Sequence, residues 1–246
     1  MVFGDGDCHA TTSVRRLMNR QGLEGSVYDY LPGYKKEVQN VIRRRLVLLD
    51  SETAESVRRD HQIGRLRMLL ELKRCGRKKG RMIVQGFREP EEWDDGSNVS
   101  PVAFIDSIRM LFFMAGLATD VISTNDVAVA FLQAIGFAHD DARYVSYKAY
   151  REATEHLFRL HGPLYGQRCA SKKFYLTMAG WLADQGFKQA KNEPCLFVNA
   201  VTGMRVIVVV DDLLVRGAAD QTDLFHDALE SRFECSAGSR KLIIVV

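Results

Sequence analysis

Two adjacent carboxylates interrupt the most apolar run of the chain, Val206-Ile207-Val208-Val209-Val210-Asp211-Asp212-Leu213-Leu214-Val215. Burying unpaired carboxylates inside such a strand costs several kcal/mol each. The fold must therefore carry Asp211 and Asp212 to an edge, a turn or a metal. No glycine or asparagine lies in the run, and aspartate tolerates turn conformations better than most residues. The pattern predicts a tight hairpin with the two aspartates at its tip. An ordinary surface turn satisfies this pattern as well as a functional site does.

A third carboxylate adds weight to the site. Asp126 lies in Thr124-Asn125-Asp126-Val127-Ala128-Val129-Ala130-Phe131-Leu132, again inside an apolar segment. A strand ending near Asp126 and a hairpin tip at 211–212 would bring three carboxylates together. Such a cluster repels itself unless a hard divalent cation neutralises it, and all-oxygen ligands favour Mg2+ or Mn2+. Two such ions about 3.5–4 Å apart clamp the attacking and leaving oxygens of a phosphoryl transfer. Polymerases and nucleases both use this arrangement.

Charge points to the same class of partner. Residues 35–81 hold fifteen Lys/Arg and six Asp/Glu, while the chain as a whole is only +3. A basic segment beside an acidic remainder suits a polyanion, nucleic acid being the usual one, although a solvated helix face has the same composition. The five cysteines are scattered without a Cys-x-x-Cys pair. That spacing argues against a disulfide framework and a cysteine-ligated zinc site, and for a reducing compartment. The start of the chain lacks a basic stretch followed by an apolar one, and the apolar runs fall short of the roughly 18 residues of a membrane helix. The expected location is cytosolic or nuclear, with no membrane partner.

Residues 1–33 are polar and glycine-rich and read as weakly ordered. Tyr34 to Leu72 reads as helical, with Val38, Val41 and Ile42, then Leu66, Leu69 and Leu70, at helical spacing. A short strand is expected at Met82–Val84, then an acidic loop from Glu89 to Asp95 closed by Gly96. Ile105 to Leu117 is apolar on nearly every side and reads as a buried helix. Residues 144–147 and 157–160 suit short paired strands. Ser171 is placed to cap a helix that Gly186 ends. Strands follow at 195–198, 205–210 and 213–215. A last helix runs from about Thr222 to Phe233, with Leu224, Phe225, Ala228 and Leu229 on one face. The order suggests an α+β domain, an antiparallel sheet covered by helices.

From about Lys79 to Phe233 the chain resembles the reverse transcriptase of copia-type retrotransposons. Lys79-Gly80-Arg81-Met82-Ile83-Val84-Gln85-Gly86-Phe87 is similar to that family's fingers signature. Ser100-Pro101-Val102-Ala103 and Ser107-Ile108-Arg109 follow in order. Asp126-Val127 with Ala130-Phe131-Leu132 resembles the first catalytic motif. Leu164-Tyr165-Gly166, Tyr175, Gly186-Phe187 and Cys195-Leu196-Phe197 continue the series, and Val210-Asp211-Asp212 resembles the catalytic hairpin.

The resemblance implies a fingers–palm polymerase fold and two-metal nucleotidyl transfer to a primer 3′-hydroxyl. Asp126 and Asp211 would be the principal ligands of Mg2+, or of Mn2+, with Asp212 beside them. Arg81 and Lys79 would touch the incoming deoxynucleoside triphosphate, because negative charge on the phosphates must be neutralised as the leaving group departs. Phe131, five positions after Asp126, would be a steric gate against a ribose 2′-hydroxyl, or else a core phenylalanine. Gln85 and Gly86 would support an RNA or DNA template paired with its primer. Residues 71–246 would form the fingers and palm, truncated before a thumb, and residues 1–70 a basic, partly helical extension of unknown role. A catalytically inactive, nucleic-acid-binding remnant and a metal-dependent nuclease are the alternative readings.

The chain also departs from the family. Val209 replaces the hairpin tyrosine, and Ala128, Val129 and Gln133-Ala134 replace the usual residues of the first motif. Cys169 stands where a glutamine would help position nucleotide and template. The apolar residues of 239–246 suggest truncation.

Overall fold

The computed structural model describes residues 7–94, 98–118, 120–148 and 155–243. Asp95 and Gly96 of the acidic loop, residues 1–6 and residues 244–246 lie outside them. The helices are α1 (Asp7–Gln21), α2 (Val27–Arg45), α3 (Ser51–Asp60), α4 (Ile105–Gly116), α5 (Ala170–Asp184) and α6 (Ala219–Arg232). The strands are β1 (Leu46–Leu48), β2 (Gly64–Leu72), β3 (Lys78–Val84), β4 (Val121–Asp126), β5 (Arg143–Tyr147), β6 (His156–Leu160), β7 (Lys188–Gln189), β8 (Leu196–Val198), β9 (Arg205–Val209), β10 (Asp212–Gly217) and β11 (Lys241–Ile243). Helices and largely antiparallel strands make an α+β fold. No helix among the described residues is long and apolar enough to cross a membrane. The chain divides into two compact units, Met1–Asn98 with Gly136–Ala170, and Val99–Ile135 with Ser171–Val246.

The first unit is built on a sheet of order β1-β6-β5-β2-β3. Its pairs are antiparallel except β2 with β5. The expected pairing of 144–147 with 157–160 is present as β5 and β6. The helical reading of 34–72 holds only to Arg45 and over α3. Leu66, Met68 and Leu70 alternate with exposed Arg65 and Arg67, so the segment is a strand of period two. Leu66, Leu69 and Leu70 also fit a helical spacing, which is why the shorter pattern misled. Over residues 7–33 the expectation of weak order is likewise overturned by α1 and α2. Pro32 lies inside α2 and removes one backbone donor. Burial of Tyr30, Tyr34, Val38 and Val41 along one stripe offsets that loss. Gly33 packs backbone to backbone on Gly80 of β3, and a Cβ on Gly80 would come within 2.8 Å of the Gly33 carbonyl oxygen.

The second unit carries a sheet of order β11-β4-β10-β9-β8-β7, antiparallel throughout. Val206 and Val208 of β9 and Leu213 and Val215 of β10 face α5 and α6, packing on Phe174, Met178, Trp181, Leu182, Phe225 and Leu229. The alternate residues Ile207, Val209 and Leu214 face Leu111 and Ile108 of α4. Ser171 lies inside α5 rather than capping it. Gly186 ends the helix, with the Gly186 N–H bonded to the Ala183 carbonyl and the Phe187 N–H to the Leu182 carbonyl.

Two further expectations differ from the structure. The helix α4 forms as read, but Ile105, Met110 and Phe113 are exposed and only Leu111 and Ala115 are buried along it. Its start is capped by Glu193, which accepts from the Phe104 N–H at 2.9 Å and the Ser107 hydroxyl at 2.8 Å. On α6, Leu224 points outward while Thr222, Phe225, His226 and Leu229 are buried. Lys241–Ile243 pairs with β4 as β11.

Candidate metal centre

Apolar strands β9 and β10 pair with Asp212 opposite Val209, which leaves Val210 and Asp211 as the turn. The tip therefore holds Val210 and Asp211, and Asp212 is the first residue of β10 rather than part of the turn. Val210 adopts a left-handed backbone with φ 58°, and Val129 does the same at φ 46°. For a β-branched residue such a conformation stores on the order of 1–3 kcal/mol, a feature that clusters at functional sites.

Strand β4 runs antiparallel to β10 with Asp126 opposite Asp212. The Val127 N–H donates to the Asp211 carbonyl at 2.8 Å and closes the pair at its open end. Side chains alternate along a strand, so Asp212 shares the face of Leu214, the α4 side of the sheet, and its partner Asp126 shares it too. One carboxylate oxygen from each of Asp126, Asp211 and Asp212 lies within 4.8 Å of the others. Burial raises the Asp212 pKa above its ordinary value, and the neighbouring Asp211 and Asp126 charges raise it further. This donor set suits a hard divalent cation: it is all oxygen, open to solvent on one side, and self-repelling when empty of positive charge.

The sign of that repulsion can be tested. A raised carboxyl pKa means the folded chain holds its proton more tightly than the unfolded chain. Ionisation of Asp212 therefore opposes folding, by an amount that grows as pH rises through the raised pKa and is complete above it. Asp212→Asn should raise the thermal midpoint at neutral pH in a chelating buffer. The gain should shrink when millimolar Mg2+ is added to both proteins, and an unchanged or lowered midpoint in chelator would contradict this electrostatic account.

The other residues singled out from the sequence fall in two groups. Phe131 belongs to the same unit as the three aspartates. It is half-buried in a short 3-10 turn after Asp126, edge-on to Phe174 with ring centroids 6.5 Å apart. Arg81, Lys79, Gln85 and Gly86 belong to the other unit. There the β2–β3 register sets Leu69 opposite Arg81 and Glu71 opposite Lys79, so both cations sit on the outward face with Arg65 and Arg67. Arg81 is braced by Glu71 at 3.7 Å and lies over the Tyr165 ring at 5.0 Å. Burial lowers the Lys79 pKa, and the Arg81 and Lys73 charges add to the effect. Gln85 donates its N–H to the Arg65 carbonyl at 3.0 Å. Gly86 has a packing reason to be glycine, since a Cβ there would overlap the Gly166 carbonyl oxygen.

Sequence reasoning missed the supports of these residues. Glu71 was legible in principle, because a tight turn near Cys75-Gly76 fixes the register, which sets Glu71 opposite Lys79 and diagonal to Arg81. Glu37 was not. It comes from α2, is buried, and accepts from the Met82 N–H on edge strand β3 at 2.9 Å. Burial raises its pKa. Two of the cysteines, Cys195 and Cys235, offer no rival nucleophile: burial pushes their thiols up to about 11, so both stay protonated at neutral pH.

With this geometry in view, comparison with known proteins is informative. A family model described as reverse transcriptase (RNA-dependent DNA polymerase) matches residues 62–239. The Retrovirus-related Pol polyprotein from transposon RE2 of Arabidopsis thaliana is 29% identical over 163 residues, covering 64% of this chain and 11% of that protein. The corresponding polyprotein from transposon TNT 1-94 of Nicotiana tabacum is 27% identical over 150 residues, covering 57% of this chain and 11% of that protein. The chain thus spans about a tenth of the length of the curated relatives it matches. Among solved structures, telomerase from Candida albicans in complex with a fragment of telomeric RNA aligns with a TM-score of 0.49 at 11% identity, over 89% of this chain and 46% of that one. A foamy viral protease–reverse transcriptase in complex with double-stranded DNA aligns with a TM-score of 0.45 at 14% identity, over 87% of this chain and 32% of that one.

Proposed function

This chain belongs to the reverse transcriptase (RNA-dependent DNA polymerase) family, in its copia-type branch, and on that premise we propose that it adds deoxynucleotides to a primer 3′-hydroxyl as a template directs. The observation that carries the reading is the convergence of Asp126, Asp211 and Asp212 at the hairpin end of an antiparallel sheet. Asp126 and Asp211 would be the principal holders of a divalent cation, with Asp212 beside them. Mg2+, or Mn2+ in its place, would supply Lewis-acid stabilisation of the transferring phosphoryl group and of the attacking oxygen.

The remaining assignments follow from charge and shape. Arg81 and Lys79 neutralise the triphosphate of the incoming nucleotide. The bracing of Arg81 by Glu71 and Tyr165 supports this role, because a preorganised cation spends little entropy on binding. Phe131 acts as the steric gate, with one edge anchored on Phe174 and the rest of its ring left half-exposed. Gln85 and Gly86 support the template strand of an RNA or DNA duplex with its primer. Residues 71–246 are the fingers and palm, residues 1–70 their N-terminal extension, and the working compartment is the cytosol or nucleus.

The test is primer extension on an RNA template with Mg2+ or Mn2+, run beside Asp211→Asn. Template-dependent extension lost in the variant is the expected result. Extension that persists in the variant overturns the assignment of Asp211, and metal-dependent degradation without extension supports a nuclease instead. One observation favours a second reading, a nucleic-acid-binding remnant. Cys169, at the position of the family's glutamine, is buried and accepts from the Arg143 guanidinium at 3.5 Å. A remnant would give no extension under any condition, yet would keep salt-sensitive nucleic-acid affinity after Asp126→Asn and Asp211→Asn.

A further inference from the structure

The face of β4 turned away from the three carboxylates is polar where the rest of that sheet face is apolar. Ser123 and Asn125 are both buried there, beside Val206, Val208, Leu213 and Val215 of the neighbouring strands. Each has specific partners. The Asn125 amide nitrogen donates to Glu230 Oε1 at 3.0 Å and meets His226 Nδ1 at 3.3 Å. Because that amide can only donate, Nδ1 accepts, and the ring proton of neutral His226 sits on Nε2, 2.7 Å from the Ser123 hydroxyl. The Asn125 carbonyl oxygen accepts from the Ser239 hydroxyl at 2.6 Å.

Ser239 also lies 3.5 Å from the Asp126 carbonyl, which takes the Ser236 N–H at 2.8 Å. Ser236 and Ser239 close a turn through the Ser239 N–H and the Ser236 carbonyl at 3.0 Å. Arg240 then anchors the segment to Asp223 and Asp227 of α6. The backbone of Asp126 is thus gripped from the side opposite the catalytic hairpin.

We infer that Asn125, tied to α6 through His226 and Glu230 and to the 236–239 turn through Ser239, is a positioning residue that fixes Asp126 against the hairpin. A purely apolar back face would tolerate a slide of β4 by two residues, since the pleat repeats with that period. Such a slide moves Asp126 by about 6.7 Å. Metal ligands must hold to within about 0.5 Å. With Asn125 and Ser123 in place, sliding strands two buried polar groups without partners, each at a cost of about 1–3 kcal/mol. The apolar run of the sheet supplies cohesion, and this polar pair supplies the register.

The inference rests on the metal-site reading above, so the experiment separates the two. Mn2+ affinity is measured by electron paramagnetic resonance on the whole chain, with thermal midpoint and extension kinetics alongside. Asp126→Asn should weaken Mn2+ binding, and unchanged binding there overturns the metal site itself. Asn125→Ala and Ser239→Ala should each weaken Mn2+ binding and lower kcat by about tenfold, as loss of a supporting partner does at metal sites. The nucleotide KM should stay within about twofold. Ser239→Thr keeps the hydroxyl and should recover most of the loss. Thr222→Val removes a buried hydroxyl at the start of α6, one bonded to the Ala218 and Ala219 carbonyls, and should cost stability with Mn2+ affinity unmoved. If Asp126→Asn loses Mn2+ while Asn125→Ala and Ser239→Ala bind it like the parent, Asn125 is structural only. Should Asn125→Ala fail to fold, the partly exposed Ser239 variants decide the matter.

Discussion

Asp126→Asn and Asp211→Asn should each abolish the divalent-cation response of the chain and reduce primer extension by roughly 10²–10³-fold or more, about 3–4 kcal/mol of lost transition-state stabilisation. The change removes one charge and one strong ligand from a set of three whose oxygens lie within 4.8 Å of one another. Asp212→Asn should lose less, because burial and its two neighbours raise the Asp212 pKa and favour its neutral form. The stability effect should run the other way. The same neutralisations relieve like-charge repulsion, so the variants should melt at or above the parent in chelator while doing less chemistry. Extension rates and melting curves on the same preparations check both halves. A variant that loses activity together with several degrees of midpoint would show that the aspartates support the fold rather than a cation.

Phe174→Ala should be the most damaging change in the body of that unit. Phe174 is 1% exposed and meets Phe131 and Phe233 edge-on at 6.5 and 6.4 Å. It therefore joins the turn after Asp126, helix α5 and the end of α6. Truncation removes the transfer energy of the ring and leaves a cavity, together about 3–5 kcal/mol. The midpoint of the unit should fall by on the order of 10 °C. Leu224→Ala is the matched control, since Leu224 is 63% exposed, and it should change stability by no more than about 0.5 kcal/mol. Denaturant titration of the two variants measures the contrast directly. Near-equal losses would mean that α6 buries its other face.

The parts of the fold that were legible are those whose pattern has one physical solution. The hairpin at Asp211-Asp212, the 205–210 and 213–215 strands and the helix through Trp181 all follow from carboxylates or glycines punctuating apolar text. The parts that misled had two solutions. Leu66, Leu69 and Leu70 fit a helix, yet Leu66, Met68 and Leu70 fit a strand, and the β3 partner settled the choice. Leu31-Pro32-Gly33 reads as a break, yet it lies inside α2, where a buried tyrosine and valine stripe outweighs one lost hydrogen bond. The helix α4 is apolar on nearly every side, and its sequence alone does not say which side meets the sheet.

By itself the sequence determined the chemistry on offer: three aspartates in apolar surroundings, a basic segment ahead of them and no reactive thiol motif. Such features follow from composition and local pattern, because an unpaired charge in apolar text has few places to go. Tertiary structure alone decided that Asp126 pairs with Asp212 across β4 and β10, that Glu71 and Tyr165 brace Arg81, and that Asn125 reaches α6 and Ser239. Those contacts join residues far apart in the chain. Strand register and helix docking create them, and neither is written in any local stretch.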